Sequence, residues 1–170
     1  MGLFDRLTGT RHPGSGVAPR SAEEVRAVLL GSFGADAPYT VRSGAAEGAD
    51  LVAESRILEP AWHTFFARTQ VSQVFQIRMR LDAAAREVRT VDRQYDVTWL
   101  GGTPKLALSA EQQRGQVSTV SRRRTVERGA DGGLETTEVF RFDSSELKDP
   151  LREAVLGAGW TWRGVVFGKL

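Results

Sequence analysis

The chain has 170 residues, of which 41% are hydrophobic and 26% are charged, and its formal net charge is +2. This composition is typical of one ordinary soluble domain that can bury a core without disulfides or a metal ion. The lack of cysteine excludes disulfides, thiolate nucleophiles and Cys-ligated zinc, so we expect no metal site and no cofactor. The nearly balanced charge argues against nucleic acid as the partner.

Residues 1–20 predict a flexible N-terminal tail, because prolines and glycines interrupt any hydrophobic period there. No signal-peptide pattern opens the chain, and no apolar run approaches the roughly 18 residues of a membrane span. The expectation is therefore a cytoplasmic protein with no membrane span. Its basic residues are mostly arginine, which is typical of a GC-rich genome and favours a bacterial source.

A single folded domain is predicted for residues 21–170. Ser21 and Glu24 have the spacing of a capping box, and apolar residues follow at helical intervals, so a helix opens the domain. Short strands come next. Pro60 is placed to begin a short middle helix, where its missing N–H costs nothing.

A hairpin in the middle of the chain has the clearest pattern. Apolar and polar residues alternate over residues 75–82 and again over residues 91–99, which predicts two half-buried strands. Val88 lies out of phase with the second set, so we expect a β-bulge just after it. With this alternation, we expect Arg78 to lie opposite Asp92 on the solvent-exposed face and to form a cross-strand ion pair with it.

Two charged features of the second strand invite a functional interpretation. Arg93 lies among its apolar residues, which requires either a sheet edge or a carboxylate partner under the sheet. Asp92 and Asp96 share the other face and could serve a hydrolytic or metal site. Arg78 and Arg80 of the first strand are the simpler partners for these carboxylates.

The last third of the chain predicts another hairpin, a helix and a strand. The Asp-Gly and Gly-Gly pairs within residues 129–133 predict a turn between strands at about 118–127 and 134–142. Asp149 and Pro150 have the residue types of a helix N-cap and first helical position. A tryptophan-containing strand follows this helix.

These elements predict an α+β fold, because strands outnumber helices and occur in hairpins without βαβ alternation. We expect one domain with a curved antiparallel sheet of about six to seven strands. An N-terminal helix, a short middle helix and a C-terminal helix pack on it, and the chain ends in a strand.

Aromatic residues form the first candidate site. A pocket between a sheet and its helices, lined by Trp and Tyr, is a typical place for a small ligand, whereas exposed Trp marks a protein interface. Simple packing in the core is the alternative. The candidate ligand or partner surface consists of Trp62, Phe66, Tyr95, Trp99, Trp160 and Trp162.

Clustered arginines form the second candidate site, which could take phosphate, RNA or an acidic protein. Glu135 and Glu138 on the following strand offer cross-strand partners that would instead neutralise them. The candidate anion-binding surface consists of Arg114, Arg122, Arg123, Arg124 and Arg128.

No residue is assigned a catalytic role. His63 follows Glu59 by four residues, but a catalytic histidine also needs a nucleophile or substrate proton within reach. We expect a non-enzymatic domain that binds a protein partner or a small apolar ligand. The alternatives are a module that binds an anionic partner through the arginine-rich hairpin, and an enzyme that uses carboxylates and His63. An exposed sheet edge would also offer a route to a homodimer.

Overall fold

The computed structural model describes residues 2–109, 120–128, 134–165 and 170. These residues form two β-sheets, four α-helices and two short 3₁₀ turns (Ala45–Glu47 and Arg56–Leu58). The helices are α1 (Leu3–Thr8), α2 (Ala22–Leu30), α3 (Pro60–Thr69) and α4 (Ser144–Gly157). The strands are β1 (Tyr39–Ser43), β2 (Leu51–Ser55), β3 (Gln73–Asp82), β4 (Glu87–Leu100), β5 (Thr103–Leu108), β6 (Val120–Arg128), β7 (Leu134–Asp143) and β8 (Thr161–Gly164). No helix in these ranges is long and apolar enough to cross a membrane.

The larger sheet has six strands, and β4 pairs with three of the others. Strands β1 to β5 lie in chain order, each antiparallel to the next. On one edge of β4, β5 pairs with residues 95–100, and β8 pairs in parallel with residues 87–90. The predicted α+β class, with an antiparallel sheet, three longer helices and a final strand, is confirmed. The parallel pairing of β8 is a departure from the expected hairpins.

Helices α2 and α4 cover one face of this sheet and form the larger hydrophobic core with it. Val25 and Leu29 of α2, and Leu147, Leu151 and Val155 of α4, are buried and recur at helical spacing. Each helix therefore presents an apolar stripe to the sheet, and this burial is the main force that holds the layers together. We call this cluster the first core.

The segment 2–20, expected as a tail, makes hydrogen bonds with the folded part of the chain at Arg11 and Arg20. Arg11 and Trp162 exchange backbone hydrogen bonds of 2.8 and 2.9 Å. The indole Nε1 of Trp160 donates to the carbonyl oxygen of Arg20 at 2.8 Å. Both tryptophans belong to the first core and are almost completely buried. The N-terminal segment therefore contacts β8 and the turn before it.

Helix α3 packs on the opposite face of the sheet, beside β5 and the last part of β4. Ile57, Phe66, Val71 and Val74 are buried there. Half-buried residues packed against them are Trp62, Tyr95, Val97, Trp99 and Leu106. We call this group the second cluster. Among the described elements, α3 is the helix that packs on this face, and it covers one end of it.

The predicted bulge after Val88 is wrong, because the register between β3 and β4 runs without a shift along the whole of β3. Val88 faces the first core, whereas Tyr95, Val97 and Trp99 belong to the second cluster. The apolar residues of β4 change phase because its first part is covered on one face and its last part on the other. A regular strand with two covered faces explains the pattern.

Arg78 does not lie opposite Asp92, so the predicted solvated cross-strand pair is wrong. Its register partner is Val91, and Asp92 lies opposite Ile77 on the face that α4 covers. There the Asp92 carboxylate forms an ion pair with Lys148 of α4. The error arises because the apolar residues near the end of β4 face α3 and not α4. Taking their face as the one under the main core placed Asp92 on the solvent-exposed face.

Helix α4 begins at Ser144 and not at Asp149, where the Asp-Pro pair predicted its start. Pro150 consequently lies inside the helix and cannot donate a backbone hydrogen bond to the carbonyl of Glu146. Burial of Leu147 offsets this cost, because the additional turn places its side chain in the first core.

Candidate ligand-binding site

Polar side chains replace apolar ones on the part of the sheet that α3 leaves uncovered. They come from four neighbouring strands, and the register places them in adjacent rows on one face. We call this region the open face and define it by Arg42, Glu54, Gln76, Arg78 and Arg93.

Gln76 holds the middle of the open face together. Its side chain is buried, and Nε2 donates to a carboxylate oxygen of Glu54 at 2.8 Å. Its Oε1 accepts from the Nε of Arg78 at 3.0 Å and from the hydroxyl of Tyr95 at 3.3 Å. One amide therefore orients three side chains from three strands, which makes the floor of this face a connected polar network.

Arg42 is the member of this network that lies on β1. Its Nε donates to Glu54 at 2.7 Å, and its Nη2 donates to Glu47 at 2.5 Å. The hydrogen bonds from Arg42 hold the pKa of the Glu47 carboxyl below its usual range. Glu47 belongs to a short 3₁₀ turn between β1 and β2, so this turn is tied down over the sheet.

A hollow of about 290 Å³ lies between this network and the segment that leads into α3. Its polar wall includes Arg42, Glu54 and Gln76. Its apolar wall consists of Ile57, Leu58, Val74, Phe75, Tyr95 and Leu106. We call it the apolar hollow. An apolar wall facing a few fixed polar groups is the usual composition of a small-molecule site.

A second hollow of about 300 Å³ lies next to the first, and Glu47 lines both. Arg78, Arg80 and Arg93 surround it, with Val91 in its lining. We call it the arginine hollow. Its lining also includes Gly48 and Leu170, whose main-chain oxygens each accept a hydrogen bond from Arg80 at 2.7 Å.

The aromatic residues predicted as one ligand or partner surface are divided by the sheet. Trp62, Phe66, Tyr95 and Trp99 come together in the second cluster, and Tyr95 lines the apolar hollow. The indole of Trp99 donates to the carbonyl of Val71 at 3.0 Å. The other two members of the set, Trp160 and Trp162, lie in the first core on the far side of the sheet.

The arginines predicted as an anion-binding surface fall largely on the β6–β7 hairpin, which forms the smaller sheet. Arg114 lies outside the described residues. Arg122, Arg123, Arg124 and Arg128 belong to β6. The register places Arg122 opposite Arg141 and Arg124 opposite Glu138, with a register shift between Arg123 and Arg124.

The residues considered for catalysis are spread over the structure. Asp92 pairs with Lys148 under α4, and Asp96 accepts a hydrogen bond from Gln73 at 3.2 Å. His63 lies half-buried on α3. Within the described ranges, no group of three His, Asp or Glu side chains is placed to hold a metal ion.

Sequence reasoning missed most of the open face. Arg93, for which the sequence suggested a sheet edge or a carboxylate partner, was the one usable signal. The described residues give it no carboxylate partner, and it lines the arginine hollow. Nothing in the local pattern marks Arg42, Glu47 or Gln76, because their contacts join strands and a turn that are distant in sequence. No family model, curated protein or solved structure matches the chain. The function is therefore argued from the chemistry of this face.

Proposed function

We propose that this domain binds a small ligand with an apolar body in the apolar hollow and acts as a binding module, not as an enzyme. The observation that carries the proposal is the combination of one apolar wall with a polar wall that Gln76 holds in place. A ligand there would bury its apolar part against Leu58, Val74 and Leu106 and turn its polar end toward Gln76.

The size and exposure of the site favour a small molecule over a protein partner. A volume of about 290 Å³ is close to the lower end for small-molecule sites. Leu58 is 59% exposed although it lines the hollow, so a bound ligand would remove apolar surface from water.

The charged groups beside the hollow favour binding over acid–base catalysis. Arg42 bridges Glu47 and Glu54. The hydrogen bonds that Arg42 donates to Glu47 lower the pKa of the Glu47 carboxyl. A general acid or base works best with a pKa near the operating pH, so a carboxyl with a lowered pKa suits a structural ion pair.

Calorimetric titration with decanol and 2-naphthol, one aliphatic and one aromatic probe, tests the proposal. We expect saturable binding of at least one probe, and a loss of about tenfold or more in affinity for Leu58→Glu, which places a charge on the apolar wall. Leu30→Glu is the matched control, since Leu30 is 42% exposed on α2 across the sheet. Absence of binding to both probes, or equal loss in both variants, would contradict the proposal.

A second candidate function, binding of an anionic partner by the β6–β7 hairpin, is favoured by one observation. Arg122 and Arg141 occupy directly paired positions. Like charges at such positions destabilise a hairpin unless a counter-charge is present. We expect the wild type to bind a fluorescent single-stranded oligonucleotide with an affinity that falls steeply with salt. Arg122→Gln/Arg141→Gln should flatten this dependence, while Arg68→Gln on α3 should preserve it. Salt-independent binding would exclude this function.

The proposal also covers the cellular location, the source and the oligomeric contact of the protein. We place the protein in the cytoplasm of a bacterium, on the basis of its composition. We also propose that any homodimer forms through β1 or β5, which occupy the ends of the five-strand order in the larger sheet.

A further inference from the structure

The three side chains of the arginine hollow come from two adjacent strands and share one face. Arg78 and Arg80 alternate along β3, and Arg93 lies on β4 opposite Gln76. Alternate residues of a strand are about 7 Å apart, and Arg78, Arg80 and Arg93 all line the same hollow. Val91, opposite Arg78, lies between them.

The charge in this hollow is not balanced by the acidic residue that lines it. Glu47 is held by Arg42, which also pairs with Glu54. Among the described residues, no Asp or Glu side chain lies within ion-pair distance of Arg78, Arg80 or Arg93. Arg80 is already engaged with the oxygens of Gly48 and Leu170. The guanidinium groups of Arg78 and Arg93 thus give the cavity of about 300 Å³ a surplus of positive charge.

Arg93 adds a second, independent feature. Its Nε is buried and has no hydrogen-bond acceptor in the described part of the chain. A buried donor without an acceptor costs free energy, and most buried polar groups in proteins are satisfied. By contrast, Arg78 donates to Gln76 and Arg80 donates to two main-chain oxygens. The donor that lacks an acceptor therefore belongs to a side chain that lines the cavity.

The two hollows meet at Glu47, and Gln76 of the apolar hollow is hydrogen-bonded to Arg78 of the arginine hollow. We propose that the ligand carries an anionic head group, a carboxylate or a phosphate, which binds to Arg78, Arg80 and Arg93 while its apolar body occupies the apolar hollow. This inference rests on the proposed function and adds the chemical class of the ligand. Guanidinium groups suit both head groups, because they donate parallel hydrogen bonds to either.

Titration with decanol, decanoate and decyl phosphate separates the head group from the apolar body. We expect the wild type to bind at least one of the two anions about tenfold or more tightly than decanol, since charge-assisted hydrogen bonds are the stronger ones. Whichever anion binds more tightly identifies the head group. Arg93→Gln and Arg78→Gln should each remove most of this preference for the anions over decanol.

Two matched variants control for the overall charge. Arg26→Gln removes one positive charge from α2, which covers the other face of the sheet, and should keep the preference for anions. Glu47→Gln removes the acidic group at the border of the two hollows and should increase the affinity for decanoate. A loss of preference in Arg26→Gln equal to that in Arg93→Gln would overturn the inference.

The remaining outcomes separate the two proposals. If decanol and the anions bind equally, the proposed function stands and the anionic head group is excluded. If none of the three binds, both fail. Urea unfolding of the free Arg93→Gln variant gives a check on a structural role. We expect its midpoint to stay equal or rise, because a buried donor without an acceptor has been removed. A marked fall would assign Arg93 to the fold and overturn the inference.

Discussion

Lys148 and Asp92 form an ion pair between α4 and β4 in which both side chains are largely withdrawn from water, at 13% and 11% exposure. Burial raises the pKa of Asp92 above its ordinary value of 3.8, and the nearby Lys148 opposes this shift without cancelling it. Such a pair is held in place at the cost of desolvating two charges.

Removal of one partner should therefore lower the free energy of unfolding much more than removal of both. We expect Asp92→Asn or Lys148→Met alone to lower the free energy of unfolding by about 3–5 kcal/mol, since the other charge stays in a poorly hydrated site. Asp92→Leu/Lys148→Met should recover most of this loss, because apolar residues of similar volume need no hydration. Urea unfolding of the three variants measures the differences. Additive losses in the double variant would contradict this view of the pair.

The same pair has a defined pH dependence. A carboxyl whose pKa is raised by folding contributes stability that is present below 3.8 and is lost as the pH rises through its folded-state value. The stability of the wild type relative to the double variant should consequently fall with rising pH in the acidic range. The urea series repeated between about pH 3 and pH 7 shows the sign of this trend.

At the scale of elements, β4 shows what a hydrophobic pattern can and cannot predict. Its alternation correctly indicated a strand in a hairpin with β3. The face that each residue occupies was not predictable, because Val88 packs in the first core and Trp99 packs under α3. A period of two residues reports that a face is covered, and it does not report which helix covers it. The false bulge and the misplaced Asp92 both follow from this ambiguity.

The helices were predicted more unevenly. The capping box of Ser21 and Glu24 forms as expected at the start of α2. In α4, local chemistry favoured a start at Asp149, but the packing of Leu147 extends the helix past Pro150. Tertiary contacts can override a local signal in this way, since most helical stability in proteins comes from packing.

Gly159 joins α4 to β8, and its lack of a side chain allows the N-terminal segment to approach closely. Its φ is +74°, and a Cβ at this position would lie 2.7 Å from the Cα of Pro19. We expect Gly159→Ala to destabilise the protein by about 2 kcal/mol, through both the strained backbone and the displaced segment. Urea unfolding measures the effect.

Gly157, two residues earlier, provides a matched control. It ends α4, and no described atom lies within 4 Å of an added Cβ. Gly157→Ala should therefore be neutral or stabilise the protein by up to about 1 kcal/mol, since alanine is the better helix former. Equal behaviour of the two alanine variants would show that the N-terminal segment does not pack against Gly159 in solution.

At the scale of the whole molecule, the candidate site is a product of topology. It needs the 3₁₀ turn after β1, the middle rows of β2 to β4 and the segment that leads into α3. The α+β class was predictable because it depends on the order and type of elements. The contacts within the site were not predictable, because they depend on the register between strands. These contacts join Arg42 to Glu54, and Gln76 to Arg78 and Tyr95.

The backbone pairing of Arg11 with Trp162 has a consequence for the synthesis of the chain. Trp160 and Trp162 belong to the first core, and Trp160 lies 140 residues after its hydrogen-bond partner Arg20. At typical elongation rates, roughly 7–28 s separate the appearance of these two residues from the ribosome. During that interval α2 and the β1–β4 sheet can pair while their apolar face lacks its covering tryptophans. The newly made chain is then open to chaperones and to association with other unfinished chains.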